Sequence, residues 1–415
     1  MYSKPMIIFL ALALAIGSTG CWDRRDPELL SIVLATAFDY NAETGHYHII
    51  AQIANPLAQE TEEGEGGAEG EGARPFWVVS ADGRSPYEAM RNLAEGTSRE
   101  LFWAHNTVIL FSEELARKGI RPVLDLFERE RQLRLIARPA VVEGDLRKLM
   151  EAEFPLEQSG AIGLKRQITT IQEERGFFHT KFMTELYPQL ERSGNDLFIG
   201  KIKVLEKGLE RNNQEENEND ENQAQEGNPM EVPPAKVGGG AAFKDDRMVG
   251  WFEPHETEGW NYVMGRIRRV AHLIESPAEK DVLLGVETLN QQVSRRPVVK
   301  DGQVRIEIAL KVEAKLQEYP GHQELTVEDE FTRALAQRTA EAIRRRIEEH
   351  LNRSQELNSD VLGLGNLIYR KKPRLWEKIE KDWDDLFPKL EVDIIVEVEL
   401  RRTGLVSTPF HEGSN

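Results

Sequence analysis

The chain has 415 residues, of which 40% are hydrophobic and 30% are charged, a composition typical of a globular protein whose bulk is not embedded in a membrane. Acidic residues outnumber basic ones, and the formal net charge of -18 argues against nucleic acid as a partner and against adsorption to an anionic membrane through charge alone. The single cysteine excludes an intrachain disulfide and a cysteine-cluster metal site.

The amino terminus has the pattern of a bacterial lipoprotein signal peptide. Lys4 precedes an apolar run over residues 6–16, which is shorter than the roughly 20 residues of a membrane-spanning helix. Small residues then lead to Cys21, as in a lipobox, although Ser18 stands where an apolar residue is usual. We therefore predict that residues 1–20 are cleaved and that Cys21 carries an S-diacylglycerol and an N-acyl group. The alternative is an ordinary signal peptide that leaves Cys21 as a free thiol.

A first domain of mixed strands and helices is predicted for residues 21–190. Its strongest helix start combines Ser85 as the capping residue, Pro86 in the first turn and Glu88 as the capping-box partner. The Glu/Gly-rich run 59–74 contains no apolar residue larger than alanine, which predicts a solvated loop. Strands are predicted at residues 29–38, 47–53, 76–80, 106–111 and 139–142, and further helices after Ser112, from Pro122 and at residues 146–152.

A small middle domain rich in strands is predicted for residues 191–265. Residues 197–205 form a predicted strand, and residues 241–243 and 248–252 flank a polar turn as a predicted hairpin. Together these strands could form a small sheet of their own. Between them, the run 210–234 is almost entirely Asn, Glu and Gln with late prolines, which predicts a disordered acidic insertion.

The third predicted domain covers residues 270–407 and has the clearest pattern. Apolar residues alternate with polar ones over residues 304–316 and again over residues 392–400, which predicts two half-buried strands. A long one-sided helix is predicted at 328–351, and a second helix follows Pro373. We expect an antiparallel sheet covered on one face by helices. The predicted fold class is therefore α+β, with three mixed domains that each pack helices on a mainly antiparallel sheet.

No constellation in the sequence points to catalysis. His46 and His48 would share one face of a strand and could bind a metal, but no third ligand is apparent, so an exposed strand pair is preferred. The segment GLGNLI at residues 363–368 lacks the third glycine of a dinucleotide-binding turn, and a turn between helices is preferred. The sequence has no G-x-S-x-G, H-E-x-x-H or Walker motif. We predict no catalytic, metal or cofactor-binding residue.

Two aromatic groups have both a structural and a functional interpretation. Phe102, Trp103 and His105 precede a predicted strand and are assigned to core packing, with a partner contact as the alternative. Trp376 and Trp383 lie on one side of a predicted helix and are assigned to the core rather than to a binding groove.

Four sequence blocks occur in a distinctive order along the chain. They are GCWDRRDPELLSIVLATAFD from Gly20, ELFWAHNTVILFSEELARKGI from Glu100, GGAAFKDDRMVGWF from Gly239, and SDVLGLGNLIYRKKPRLWEKIEKDWDDLFPKLEVDIIVEVELRRTG from Ser359. Together they resemble the C-subunit family of bacterial spore germinant receptors, called Ger(x)C. The two acidic runs and Ser18 depart from the family pattern.

This resemblance implies both a location and a function. Members are lipoproteins on the outer face of the inner spore membrane, with three mixed domains and without known enzyme activity or cofactor. They act with an integral-membrane A subunit and a transporter-like B subunit in the germination response to nutrients. Two other classes of function are weighed against this one: a solute-binding lipoprotein of a transporter and a secreted hydrolase.

Overall fold

The computed structural model describes residues 29–55, 75–154, 157, 159–205, 234–300, 303–319 and 330–402. The predicted signal peptide, Cys21, the run 59–74 and nearly all of the run 210–234 lie outside these ranges. Within them, no helix has both the length and the apolar character needed to cross a bilayer.

The described strands are numbered β1 to β13 in chain order. They are β1 Leu30–Asn41, β2 His46–Ala54, β3 Phe76–Gly83, β4 Glu100–Phe102, β5 Val108–Ser112, β6 Arg138–Glu143, β7 Phe198–Val204, β8 Ala235–Lys244, β9 Arg247–Phe252, β10 Val270–Glu275, β11 Leu283–Lys300, β12 Gln303–Glu318 and β13 Glu391–Arg402.

The described α-helices are numbered α1 to α11. They are α1 Pro86–Glu95, α2 Glu113–Lys118, α3 Arg121–Arg129, α4 Leu146–Glu151, α5 Gly160–Glu174, α6 Met183–Leu190, α7 Pro254–Val263, α8 Glu330–Glu356, α9 Leu364–Lys371, α10 Pro373–Ile379 and α11 Trp383–Leu386. Short 3₁₀ turns lie at Trp103–His105, Glu380–Asp382 and Phe387–Lys389.

The first sheet combines antiparallel edges with a parallel centre. Its order is β3-β2-β1-β5-β6-β7-β8-β9, with β4 paired to the start of β1. Strands β1, β5, β6 and β7 run parallel because the chain returns through helices after β5 and again after β6. Tight turns join β1 to β2 and β8 to β9, so these pairs are antiparallel. Every residue of β5 is buried, as expected for a parallel strand covered on both faces.

Helices cover both faces of the first sheet. One apolar cluster joins the sheet to α1, α2, α3 and α6, and a second joins its other face to α4 and α5. The predicted start of α1 is confirmed, because the Ser85 hydroxyl accepts a hydrogen bond from the Glu88 N–H and Pro86 lies in the first turn. The Glu88 carboxylate accepts from the Arg84 N–H, one residue before the Ser85 N–H that a capping box would use.

The second sheet has the order β10-β11-β12-β13. Helix α8 packs across it with Ile343, Ile347 and Leu351 in the shared apolar cluster. The expectation that the strands now numbered β12 and β13 belong to an antiparallel arrangement is wrong for this pair, which is parallel. The reason is the helical connection from α8 to α11, which brings the chain back to the starting end of the sheet.

Two further parts of the predicted fold class need correction. The first sheet is mixed rather than mainly antiparallel, since half of its neighbouring strands run parallel. The strands expected to form a separate small sheet within residues 191–265 instead extend the first sheet, because Val141 and Val142 of β6 pair with Lys201 and Ile202 of β7. The α+β class itself holds, while the division into three domains stays a prediction.

Candidate functional site: the seam between the two sheets

Among the described residues, several buried polar side chains and close backbone contacts lie where the two sheets meet. We call this region the seam and define it by residues 193–196, which precede β7, and residues 359–366, which lead from α8 into α9. The seam continues along Trp260 of α7.

At the seam two stretches of backbone cross in direct contact. A Cβ placed on Gly194 would lie 2.7 Å from the carbonyl carbon of Gly365, and a Cβ on Gly365 would lie 2.8 Å from Cα of Gly194. The Asn366 N–H donates to the Gly194 carbonyl at 2.7 Å. Gly194 has a φ of +66°, a conformation that favours glycine. The crossing therefore excludes a side chain at either position.

Two aspartates bind the same two segments to each other. The Asp196 N–H donates to the Asp360 carbonyl at 3.0 Å, and the Asp360 N–H donates to Oδ2 of Asp196 at 2.8 Å. The Asp360 carboxylate also accepts from the N–H groups of Leu364 at 2.8 Å and Gly365 at 2.7 Å, at the start of α9. In each of these four hydrogen bonds, a buried polar group finds its partner in the opposite segment or at the start of α9.

A lysine from the first sheet completes the polar contacts. Nζ of Lys244, at the end of β8, lies 3.4 Å from Oδ2 of Asp196 and 2.6 Å from Oδ1 of Asp384. The Ser359 hydroxyl donates to the Phe243 carbonyl at 2.6 Å. The first sheet thus contacts both ends of the α9–α11 region.

Burial controls the protonation of this cluster. It raises the pKa of Asp360 to about 7, against two backbone hydrogen bonds that act in the opposite direction. Burial also raises the pKa of Asp196, while Lys244 favours its ionised form. The Asp360 carboxyl therefore retains its proton to a higher pH than an ordinary aspartate does.

Trp260 fills the seam beside the aspartates. Its ring stacks with Phe198 of β7 at 4.7 Å and with His179 at 4.9 Å, and its Nε1–H donates to the Val361 carbonyl at 3.1 Å. The side chain is completely buried. One residue earlier, a Cβ on Gly259 would lie 2.0 Å from the carbonyl oxygen of Arg346, so α7 packs directly on the backbone of α8.

A second cluster of buried polar side chains connects α7 to the second sheet. The Tyr262 hydroxyl lies 2.6 Å from Nε2 of His272 and 3.1 Å from the Thr288 hydroxyl. Burial lowers the pKa of His272 to about 4 and raises that of Glu258, 3.6 Å from its Nδ1, to about 7. The residue types are those of acid–base chemistry, but each of the four side chains lies inside the packed core, where it joins a helix to strands.

The residues singled out from sequence are scattered rather than gathered at one place. Nδ1 of His48 pairs with Oδ1 of Asp82 at 2.8 Å, across β2 and β3. Among the described residues, no group of three or more His, Cys, Asp or Glu side chains is placed to hold a metal ion. Trp103 is core, as preferred, whereas His105 beside it is exposed.

The carboxyl-terminal motifs contribute to the seam itself. Gly363, with a φ of +65°, lies in the turn between α8 and α9 that is predicted for GLGNLI, whereas the other five residues of this segment belong to α9. Trp376 and Trp383 are buried, and both approach the position where a Cβ of Gly365 would lie. Sequence reasoning missed Asp196, Asp360 and Trp260. The segment SDVLGLG could have indicated Asp360, because an aspartate shortly before a helix can accept hydrogen bonds from its first N–H groups. Its closely spaced glycines are compatible with close contact to another backbone.

Comparison with known proteins assigns the chain to a family. The model described as "Spore germination protein N-terminal domain" matches residues 23–204, and the model "Spore germination B3/ GerAC like, C-terminal" matches residues 238–404. The chain belongs to the GerAC-like family of spore germination proteins. The two matches follow one another and together span both sheets and the seam.

Relatives of this GerAC-like chain match along nearly their whole length. Spore germination protein KC of Bacillus subtilis is 25% identical over 99% of this chain and 98% of its own length. Spore germination protein B3 of the same organism is 22% identical over 97% of each chain. The crystal structure of the GerBC protein aligns with a TM-score of 0.51 at 17% identity, covering 88% of this chain and 97% of that chain, which indicates a shared fold.

Asp360→Asn tests the electrostatics of the seam. The folded pKa of Asp360, about 7, lies above the ordinary value of 3.8, so between these pH values the folded chain binds a proton that the unfolded chain releases. The contribution of Asp360 to the free energy of unfolding should therefore fall as the pH rises from about 4 to about 7. Asp360→Asn lacks this contribution, so its free energy of unfolding should gain at least about 1 kcal/mol relative to that of the wild type between these pH values, as measured by urea unfolding.

Asp393→Asn is the matched control, because Asp393 is exposed on β13. It should keep the wild-type pH dependence. Identical slopes for the wild type and Asp360→Asn would contradict the account, whatever the absolute stability of the variant.

Proposed function

We propose that this chain is a non-catalytic, lipid-anchored subunit of a nutrient germinant receptor, required for spore germination through assembly with integral-membrane A and B subunits. The observation that carries the proposal is the ordered match of two spore germination domains over residues 23–204 and 238–404. Relatives that match along their full length are named as spore germination proteins, which supports the same role.

The proposed anchor is Cys21, and the proposed location is the outer face of the inner spore membrane. Two or more acyl chains bind a bilayer stably, whereas a single chain binds it weakly. The nine residues 21–29 can span at most about 32 Å before β1 begins. An anchor at Cys21 would therefore keep the first sheet close to the membrane surface.

The positions of the buried titratable groups support a non-catalytic role. Asp360, Glu258 and His272 have the shifted pKa values that often mark active sites. Each is enclosed in packing between secondary structure elements, and the hydrogen bonds of Asp360 go to backbone groups of the seam. In these positions the groups join secondary structure elements of the fold.

Cys21→Ala tests the anchor. The variant cannot form the thioether to lipid, so we expect loss of lipid labelling and release of the chain from the membrane fraction, measured by metabolic labelling and fractionation. Ser18→Ala keeps a small residue before the cleavage point and should retain both. Retention of label and of membrane position by Cys21→Ala would rule out this anchor.

Assembly is tested by co-expression with the A and B subunits. With a tag on the A subunit, we expect the wild-type chain to co-purify in a complex that also contains the B subunit. Deletion of the gene from a sporulating host without a paralogue should reduce germination in response to nutrients. A chain absent from the purified complex, together with an unchanged nutrient response, would contradict the proposed function.

A further inference from the structure

One end of the first sheet carries a concentration of positive charge on an otherwise acidic chain. The segment 179–182 runs beside the start of β6, where the Met183 N–H donates to the Ala137 carbonyl at 3.0 Å. The loop after α7 brings Arg266 to the same place. Here we call Lys181 and Arg266 the cationic patch, and Arg138 lies beside it.

The cations of the patch are held close together by aromatic rings. The guanidinium carbon of Arg266 lies 5.6 Å from the Trp260 ring centroid, and Nζ of Lys181 lies 6.0 Å from it. The guanidinium carbon of Arg138 lies 4.5 Å from the ring centroid of Phe182. Rings attract cations through their negative faces, but they do not neutralise the charge.

Lys181 and Arg266 make hydrogen bonds to uncharged side chains. Lys181 donates to the Gln189 side chain at 2.8 Å, and Nη1 of Arg266 donates to Nε2 of His179 at 2.8 Å. In the described part of the chain, neither cation has a carboxylate within ion-pair distance, and Glu185 acts on both only from farther away.

The titration of neighbouring groups reflects the same excess of positive charge. Burial, followed by repulsion from Arg266, lowers the pKa of Lys181 to about 8. Burial and then the charges of Arg266, Lys181 and Arg138 lower the pKa of His179 well below its ordinary value. A bound anion would relieve this repulsion.

Two exposed apolar side chains border the patch. Ile136, two residues before β6, is 60% exposed, and Phe182 is 39% exposed. Apolar side chains beside Lys and Arg are the combination with which proteins bind the interfacial zone of a bilayer.

The patch lies at the end of the sheet where the proposed anchor enters. The Thr107 N–H donates to the Leu34 carbonyl of β1, and the Arg138 N–H donates to the Thr107 carbonyl, each at 3.0 Å. The start of β6 is therefore two strand spacings, about 10 Å, from β1. Residues 21–28 precede β1 at this end, so the anchor would hold this end of the sheet toward the lipid.

We propose that the cationic patch, with Ile136 and Phe182 beside it, docks on the phosphate headgroups of an anionic bilayer and fixes the orientation of the anchored chain. The proposal rests on the lipid anchor of the proposed function. It adds a second, electrostatic contact that the anchor alone does not require.

Docking is measured with a fluorophore at Ile136→Cys. The full chain is purified from membranes and reconstituted into vesicles of phosphatidylcholine alone or mixed with phosphatidylglycerol, each containing brominated lipid as a quencher. Cys21 is the only natural cysteine and its sulfur would be bound to lipid, so the label goes to residue 136 alone. Ile395→Cys, 46% exposed on β13 of the second sheet, is the matched control position.

We expect strong quenching at residue 136 in the anionic vesicles, weak quenching in the neutral ones, and none at residue 395 in either. In Lys181→Gln/Arg266→Gln, the ratio of docked to free chain should fall roughly 30-fold, the effect of two cations near an anionic surface. The control Arg91→Gln/Lys165→Gln removes the same charge from exposed positions on α1 and α5, and it should change the ratio of docked to free chain little.

A salt titration of the wild-type sequence with the label at 136 gives a test that does not depend on how the double variant folds. Raising the salt from about 0.1 M to 1 M shortens the screening length from about 10 Å to 3 Å, so quenching in anionic vesicles should fall toward the neutral level. Equal quenching in both kinds of vesicle at low salt, or no response to salt, would overturn the proposal.

Two further outcomes separate the alternatives. If inorganic phosphate raises the melting temperature of the wild type but not of Lys181→Gln/Arg266→Gln, while residue 136 stays unquenched in anionic vesicles, the patch binds a free anion and the bilayer assignment is wrong. Failure of the anchor is observed separately, as loss of the chain from the membrane fraction before reconstitution. A chain that is retained there but shows no charge-dependent quenching contradicts only the docking surface.

Discussion

The direct contact between the backbones of Gly194 and Gly365 is the constraint on which the rest of this structure depends. It sets the distance between the segment that enters β7 and the segment that enters α9. At that distance the hydrogen bonds between Asp196 and Asp360 can form. Trp260 can then stack with Phe198 while it donates to Val361. A side chain at either glycine would separate the hydrogen-bonded groups of the seam and leave buried polar groups without a partner.

One consequence is that the two sheets share an apolar core in addition to the polar contacts of the seam. Phe198 and Phe252 of the first sheet belong to the same apolar cluster as α8 and the second sheet. In the proposed function, this shared packing would relate the position of a lipid anchor to that of the surfaces that contact partner subunits. Asp360 and Glu258, whose pKa values are raised by burial, and His272, whose pKa is lowered by burial, lie in this packing.

The local elements could be predicted from the sequence because their signals are local. Ser85, Pro86 and Glu88 define the start of α1 through contacts within one turn. The alternation in β12 and β13 follows from one buried face. Strand direction was missed, because it depends on where helices α8 to α11 return the chain. The seam was missed as well, since Asp196 and Asp360 are distant in sequence and meet only after both sheets form. Nothing in a single glycine such as Gly365 reveals which backbone will lie against it.

The central claim, that the seam holds the two sheets together as a permanent part of the fold, is tested most directly by native-state hydrogen exchange of the full chain. The amides of Asp196 and Asn366 both donate across the seam. The account predicts that peptides carrying these amides exchange only with global unfolding, at the same free energy as peptides from the buried strand β5. Exchange at these amides through a local opening, at a free energy well below that of β5, would contradict it.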